Sequence, residues 1–228
     1  MEQLHNGFTL ELCEGAFPLS TDSIVLSGFA KLPRQAKVLD LGSGCGTLGL
    51  LLCAKDQHCQ VTGVEISESA HQAALQNAER NCISTRLTSI CADLRSVPLL
   101  FASGSFHCCV SNPPYFSADQ ESANSNTRHE QLCTLENLFD TAKWAVRYGG
   151  DFFLVHKPER LSEICACATN HGLEPKRLLL LRHRPNDPIC LVLLQCRKGA
   201  KPGLIIEEEH LLEFDGQPSE FYRRLYHI

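Results

Sequence analysis

The chain has 228 residues, 43% of them hydrophobic and 21% charged, with a net charge of −5. That is enough for one large domain, or one domain with a small appendage. No run approaches the roughly 20 apolar residues of a membrane span, and no basic stretch followed by an apolar core marks the first residues as an export signal. The acidic balance argues mildly against a nucleic-acid partner. Its distribution is less hostile: residues 143–201 carry 11 basic and 5 acidic side chains, residues 1–142 carry 8 and 15. A phosphate-binding footprint and a plain solvated face both fit that pattern.

Taken in chain order, Thr21-Asp22 caps a helix predicted to run through Leu32, a lid or pre-sheet element. Lys37–Leu41 reads as a first buried strand, and Thr47–Lys55 as a helix following a glycine turn. Gln60–Val64 is a second strand, and Ser67 caps a helix to about Asn81 whose one side is kept small by Ala70, Ala73, Ala74, Asn77 and Ala78. Leu87–Cys91 and Phe106–Ser111 are further strands. Leu135–Val146 is an amphipathic helix. Asp151–His156 is a fifth strand, a helix follows over Glu159–Asn170, and Leu178–Leu181 and Ile189–Cys196 form a closing pair around the turn Arg184–Pro188. This alternation predicts an α/β fold: a mostly parallel seven-stranded Rossmann-like sheet, helices on both faces, an antiparallel edge strand. Residues 1–35 are expected to form an N-terminal lid and 36–228 the domain proper, one domain overall. Ser117–Arg128 is polar and leaves the end of a strand, as an active-site flap would.

The 13 cysteines suggest neither a disulfide framework nor a metal centre. Their number is odd, there is no C-x-x-C pair, and Cys53, Cys91, Cys109, Cys190 and Cys196 sit in apolar company where a thiol acts as a small hydrophobe. No metal is expected, and a reducing cytoplasm follows.

Two places carry chemistry. Asn112-Pro113-Pro114-Tyr115 follows the Phe106–Ser111 strand. Two successive prolines lack N–H groups, fix φ and force extended backbone before them, so they make a stiff bend at a strand end. The Asn112 amide oxygen and the Pro113 carbonyl can both accept from one amino group, and Tyr115 offers a face to a planar base. An ordinary strand-ending turn fits the same four residues. The second place is Asp40-Leu41-Gly42-Ser43-Gly44-Cys45-Gly46, where the first strand turns into its helix. Its spacing is G-x-G-x-G rather than the dinucleotide-binding G-x-G-x-x-G. Glu65, about 20 residues on, can accept from ribose hydroxyls, as the equivalent acid does in nucleotide-binding sheets. Asp93 can accept from an adenine amine or simply cap a helix.

In order, DLGSGCG (40–46), GVE (63–65), AD (92–93) and SNPPY (111–115) resemble class I methyltransferases of the N6-adenine branch. They look most like the family that methylates the adenosine immediately 3′ of the valine tRNA anticodon. Ser20–Ser23, Thr127–Glu130, His156–Leu161 and Arg197–Pro202 fit the same family, whereas Phe17–Asp22 lacks the basic residue and glycine that similar proteins often carry there. The resemblance implies S-adenosyl-L-methionine as cofactor, held by Thr21, Asp40, Gly42, Gly44, Gly46, Glu65, Asp93 and Asn112. It implies a catalytic bend of Asn112, Pro113, Pro114 and Tyr115, and a tRNA substrate whose target base leaves its stack to reach it. Arg128, Lys157, Arg160, Arg182, Arg184, Lys198 and Lys201 are the candidate phosphate contacts. No general base is needed, so His107, His129, His156 and His183 are assigned to packing or RNA contact. A protein glutamine-amide methyltransferase of the release-factor type would present the same NH2 geometry; only about 35 residues precede the first strand, which disfavours its helical N-terminal domain. A non-catalytic cofactor-binding scaffold and, more weakly, a DNA substrate are the other readings. Oligomeric state is left open.

Overall fold

The computed structural model describes residues 2–4, 7–15, 19–113 and 133–226. After a short antiparallel pair, β1 (Glu2–Gln3) and β2 (Thr9–Leu10), the chain forms α1 (Thr21–Phe29) and then β3 (Lys37–Leu41), α2 (Thr47–Lys55), β4 (Gln60–Glu65), α3 (Glu68–Arg80) and β5 (Leu87–Cys91). A short helix α4 (Val97–Leu100) precedes β6 (Phe106–Ser111), and α5 (Leu135–Ala145), β7 (Val146–His156), α6 (Leu161–Asn170), β8 (Leu173–Arg182), β9 (Ile189–Lys198), β10 (Ile205–His210) and α7 (Glu220–Tyr226) complete it.

The main sheet has the order β10-β8-β9-β7-β6-β3-β4-β5, and β9 alone runs against its neighbours. The architecture is the one expected, with two differences. The sheet has eight strands rather than seven, because Ile205–His210 pairs with β8. The antiparallel strand is not at the edge: β8 and β9 form a hairpin, and β9 fills the slot between β7 and β8. Its run Leu191-Val192-Leu193-Leu194 is buried throughout, which suits an interior strand covered on both faces.

Two cores form because strand residues point alternately to the two faces of the sheet. Phe153 and Val155 of β7 join the core under α1, α2 and α3. Phe152 and Leu154 join the other, under α5 and α6. Local signals set the helix ends. Ser67 Oγ accepts from the Ala70 N–H at the start of α3, and Thr134 and Asn137 cap α5 reciprocally. The α1 helix is shorter than predicted. Ser20 is its N-cap and it stops at Phe29, where Lys55 Nζ donates to the carbonyls of Ser27, Gly28 and Ala30 at 3.0, 3.3 and 3.3 Å. Gly28 lets α7 close on α1, since a Cβ there would lie 2.2 Å from Leu225 Cδ2. None of the described helices is long and apolar enough to cross a membrane. All 13 cysteines are free; Cys53, Cys109 and Cys196 are buried as expected and Cys190 is partly so, but Cys91, at the last position of β5, is exposed.

Candidate active site

The chain leaves β3 for β4 and β5 on one side, then returns to β6 on the other. Such a reversal opens a crevice at the carboxyl ends of the central strands, where open α/β sheets bind ligands. Both sequence-predicted places lie there. Asp40 pairs in register with Val110, and buried Ser111 Oγ donates to the Leu41 carbonyl at 2.8 Å. The Asn112-Pro113 bend therefore leaves β6 beside the glycine turn leaving β3.

Gly42, Gly44 and Gly46 have φ of 73°, 53° and 80°, a region that disfavours side chains. At Gly42 and Gly44 a Cβ would meet nothing within 4 Å, so the loop backbone faces open space there. Glu65 braces the loop from β4: one carboxylate oxygen accepts from Gly44 N–H and the other from Ser67 N–H, both at 2.8 Å. Asp40 is buried, with 2% exposure. Burial first, and the negative charge of Glu65 second, push its carboxyl up to about 7, with a Gly49 N–H opposing. Asp40 Oδ2 and Ser43 Oγ are buried and have no hydrogen-bond partner among the described residues. Buried polar atoms are ordinarily satisfied. Two such atoms and two carboxylates around an open glycine turn form an acidic, acceptor-rich cradle. That donor set fits a cation bearing hydroxyl and amine groups, as S-adenosylmethionine does.

Asn112 is half-buried, and its Nδ2 donates to Ser23 Oγ on α1 at 2.9 Å. This bond, between residues 89 apart, fixes which end of the amide accepts. Ser23 was not singled out as a site residue; it appears in the sequence only as the last residue of the Ser20–Ser23 helix entry, and it is buried in the first turn of α1. Thr21 is the first residue of the same turn. Asp93 caps a single 3-10 turn by accepting from Arg95 N–H at 2.9 Å, and its carboxylate also grips the Arg95 guanidinium. An adenine amine would have to share an oxygen with Arg95. Pro113 is half-buried at the bend; Pro114, Tyr115 and Arg128 lie outside the described residues.

The N-terminal segment forms another wall. Asn77 of α3, with 0% exposure, accepts from Glu11 N–H at 2.9 Å and donates to the carbonyls of Glu11 and Cys45 at 2.8 and 3.0 Å. One turn on, Asn81 holds Thr9 N–H and C=O, each at 2.8 Å. Two side chains thus stand in for a neighbouring strand, and Cys13 Sγ rests 3.5 Å from Cys45 Sγ in the glycine loop.

The predicted RNA contacts divide by position. Lys157 follows β7, Arg160 starts α6, and Arg182 and Arg184 stand where β8 ends, all at the end that carries Asn112. Arg160 pairs with Glu163 and Arg182 with Glu208. Lys198 and Lys201 lie at the opposite end. Lys198 pairs with Leu173, where β8 begins, and its ammonium holds the Lys143 and Val146 carbonyls at 2.6 and 2.9 Å. Lys201 C=O accepts from Lys176. As for the histidines, His107 Nδ1 accepts from Lys37 N–H and His156 Nδ1 from Lys157 N–H. Burial holds both rings below the ordinary histidine range, and both serve the backbone.

This sheet order and cradle define a class I methyltransferase fold. Residues 20–163 match the methyltransferase small domain family. The chain belongs to that family. It is 28% identical over 186 residues to the tRNA1(Val) (adenine(37)-N6)-methyltransferase of Bacteroides fragilis, covering 79% of this chain and 77% of that one. The Serratia proteamaculans and Photobacterium profundum proteins of the same name are 28% and 24% identical over 217 and 221 residues, covering 92% and 91% of this chain and 82% and 92% of theirs. Among solved structures, a predicted O-methyltransferase from Agrobacterium tumefaciens superposes with a TM-score of 0.76 at 21% identity, over 91% of this chain and 96% of the other. Geranyl diphosphate C-methyltransferase from Streptomyces coelicolor gives 0.59 at 12% identity, over 77% and 76%.

Proposed function

We propose that the protein methylates the exocyclic N6 amine of an adenosine in tRNA, next to the anticodon, with S-adenosylmethionine as donor. The observation that carries this reading is the juxtaposition just described: an Asn-Pro bend at the end of β6, its amide oriented by Ser23, tied by Ser111 to the strand that opens into the glycine turn. The names of the relatives supply the substrate class, and four basic residues share the Asn112 end of the sheet.

Gly42, Gly44, Gly46, Asp40 and Ser43 would hold the methionine part of the cofactor, Glu65 the ribose, Asp93 the adenine amine, and Thr21 would close over them from α1. When bound, the cofactor's sulfonium supplies an electrophilic methyl group. The protein's own task is to hold the acceptor nitrogen in line. The Asn112 amide oxygen and the Pro113 carbonyl accept the two N–H groups of an amine whose lone pair is delocalised into its ring. Those bonds strengthen as the nitrogen becomes tetrahedral, so they stabilise the transition state more than the ground state. The product sheds a proton without a dedicated base. Pro114 and Tyr115 keep the roles given them by the resemblance, Tyr115 as the face for the target base. Lys157, Arg160, Arg182 and Arg184 contact phosphates; Lys198 and Lys201 are too far round the sheet to join them. Residues 1–35 act as a lid, and the enzyme works in the cytoplasm.

The test is methyl transfer from labelled cofactor to tRNA from cells lacking the gene, with digestion and mass spectrometry to place the modified nucleoside. N6-methyladenosine in tRNA is expected, and Asn112→Ala should lower turnover by about 100-fold or more with cofactor binding retained. Label that enters only protein, or turnover that survives Asn112→Ala, overturns the assignment.

A further inference from the structure

We propose a divalent-cation site, of the borderline class that zinc represents, between α5 and the end of α6, built from Glu136, Asp140, Cys167 and His171. The inference is independent of the methyltransferase reading. Glu136 and Asp140 are one turn apart on α5; Cys167 and His171 are one turn apart at the end of α6. Residues four apart share a helix face, and these two faces meet. Each spacing, E-x3-D or C-x3-H, is commonplace in sequence; the fold brings the two together.

The hydrogen-bond pattern is what points to a cation. His171 is buried, with 9% exposure. Its Nδ1 lies 2.7 Å from the Cys167 carbonyl. A carbonyl can only accept, so Nδ1 carries the ring proton. That leaves the Nε2 lone pair directed at Glu136 Oε2 and Asp140 Oδ1, 3.1 and 3.2 Å away. Three acceptor atoms therefore converge on one point, and a cation there would satisfy all three; the Cys167 sulfur lies beside the same ring, 3.7 Å from Nδ1. Edges of that length match a tetrahedron with bonds of about 2 Å to nitrogen and oxygen. The thiol sulfur of Cys167, within 4.8 Å of the Glu136 and His171 ligand atoms and now 3.7 Å from His171 Nδ1, would supply a fourth ligand by turning toward the Nε2 side of the ring. The Nδ1–H bond to a backbone carbonyl is the usual outer support of a metal-bound imidazole, fixing tautomer and ring plane. His171 also follows the last turn of α6, where unpaired carbonyls favour positive charge. The carboxylates are exposed, so an ion can enter from solvent, and it must displace the proton of the Cys167 thiol, which burial and the nearby carboxylates push up to about 12. A bound cation would fasten the first turns of α5 to α6 on one face of the sheet. Its alternative is a proton on Nε2, giving a histidine ion pair of the same geometry in which Cys167 Sγ stays beside Nδ1.

Chelator-stripped full-length protein titrated with Co2+ at neutral pH tests this. One equivalent should produce the visible bands of tetrahedral cobalt and a near-ultraviolet thiolate charge-transfer band, both erased by Zn2+, and one equivalent of Zn2+ should raise Tm. Glu136→Gln/Asp140→Asn changes only exposed side chains, so the variant will fold; it should weaken binding by about 100-fold. Cys167→Ser should lose the charge-transfer band selectively, and Cys82→Ser/Cys91→Ser, removing the two exposed thiols, should change nothing. Absence of a stoichiometric signal in the wild type, or its persistence in Glu136→Gln/Asp140→Asn, overturns the proposal and assigns the position to a proton.

Discussion

Replacing Asn77 by alanine should cost the fold more than any exposed polar substitution, and the amount can be worked from its bonds. The side chain makes three long-range hydrogen bonds, to Glu11 N–H, Glu11 C=O and Cys45 C=O. At about 1 kcal/mol net each, the loss is about 3 kcal/mol. The Cys45 carbonyl contact is buried, so part of that figure is the cost of an acceptor left without water. For a chain of this size the melting temperature should fall by roughly 6–12 °C. Asn81→Ala is the comparison. It loses a similar number of bonds, but its partners are only part-buried, and water can replace them, so a drop of about 1 kcal/mol is expected. Asn77→Asp keeps the acceptor for Glu11 N–H and loses both donors, so it should recover little. Calorimetry on the three variants decides the matter, with labelled-cofactor binding alongside, since the Cys45 carbonyl belongs to the glycine loop. Equal and small shifts for Asn77→Ala and Asn81→Ala would refute the claim that Asn77 ties the N-terminal segment to that loop.

Asp40 predicts a pH dependence of the ligand-free protein. Its carboxyl is raised from 3.8 to about 7, so the folded state binds the extra proton. Stability from this group is complete below pH 4 and lost as pH rises to about 7, by an amount on the order of 4 kcal/mol; Asp40→Asn should flatten that slope in denaturation measured from pH 4 to 8. A cationic cofactor favours the ionised carboxylate, so its binding near pH 6 should release protons, read by calorimetry in buffers of different ionisation enthalpy. Ser23→Ala removes the hydroxyl that accepts from Asn112 Nδ2; turnover should fall about 10-fold with cofactor affinity unchanged, and Ser23→Thr should restore part of it. Gly63→Ala places a Cβ 2.4 Å from Ser43 Oγ, and should cost about 1–3 kcal/mol of stability and weaken cofactor binding measurably.

The strands and helices that carry a continuous apolar run or a cap were legible. Lys37–Leu41, Leu87–Cys91 and Phe106–Ser111 stand where periodicity put them, and so does the helix Thr47–Lys55. The misses share a cause. Strand β7 begins at Val146 rather than Asp151, and takes in Gly149-Gly150, weak strand formers, where its register with β6 shifts. Gly150 is needed there, since a Cβ would lie 2.7 Å from the His107 carbonyl. Strand β10 carries Glu207-Glu208-Glu209, a charge run that looks solvated. Paired on one side only, it gains from Arg177 and Arg182 of β8, which meet Glu207 and Glu208. Such partners are 26–30 residues away and leave no local trace. The same holds within the site: the glycine turn and the Asn-Pro bend are visible as strings, while Ser23, Ser43 and Asn77 acquire meaning only once distant segments meet.

Those distant bonds change the status of the first 30 residues. As sequence they resemble an appendage in front of a sheet. In the structure Thr9–Cys13 is held by Asn81, Asn77 and Cys45, and α1 by Lys55, while α1 in turn orients Asn112 through Ser23. The segment therefore touches the glycine turn at Cys45 and the Asn-Pro bend at Asn112, which follow the adjacent strands β3 and β6. A lid that merely covered a finished site could be loosened without altering the geometry beneath. Here loosening it would take Cys13 away from the Cys45 sulfur in the glycine loop and leave the Asn112 amide without the Ser23 hydroxyl. On the proposed mechanism the segment would help to align donor and acceptor, and damage to it should lower turnover at saturating cofactor as well as cofactor affinity.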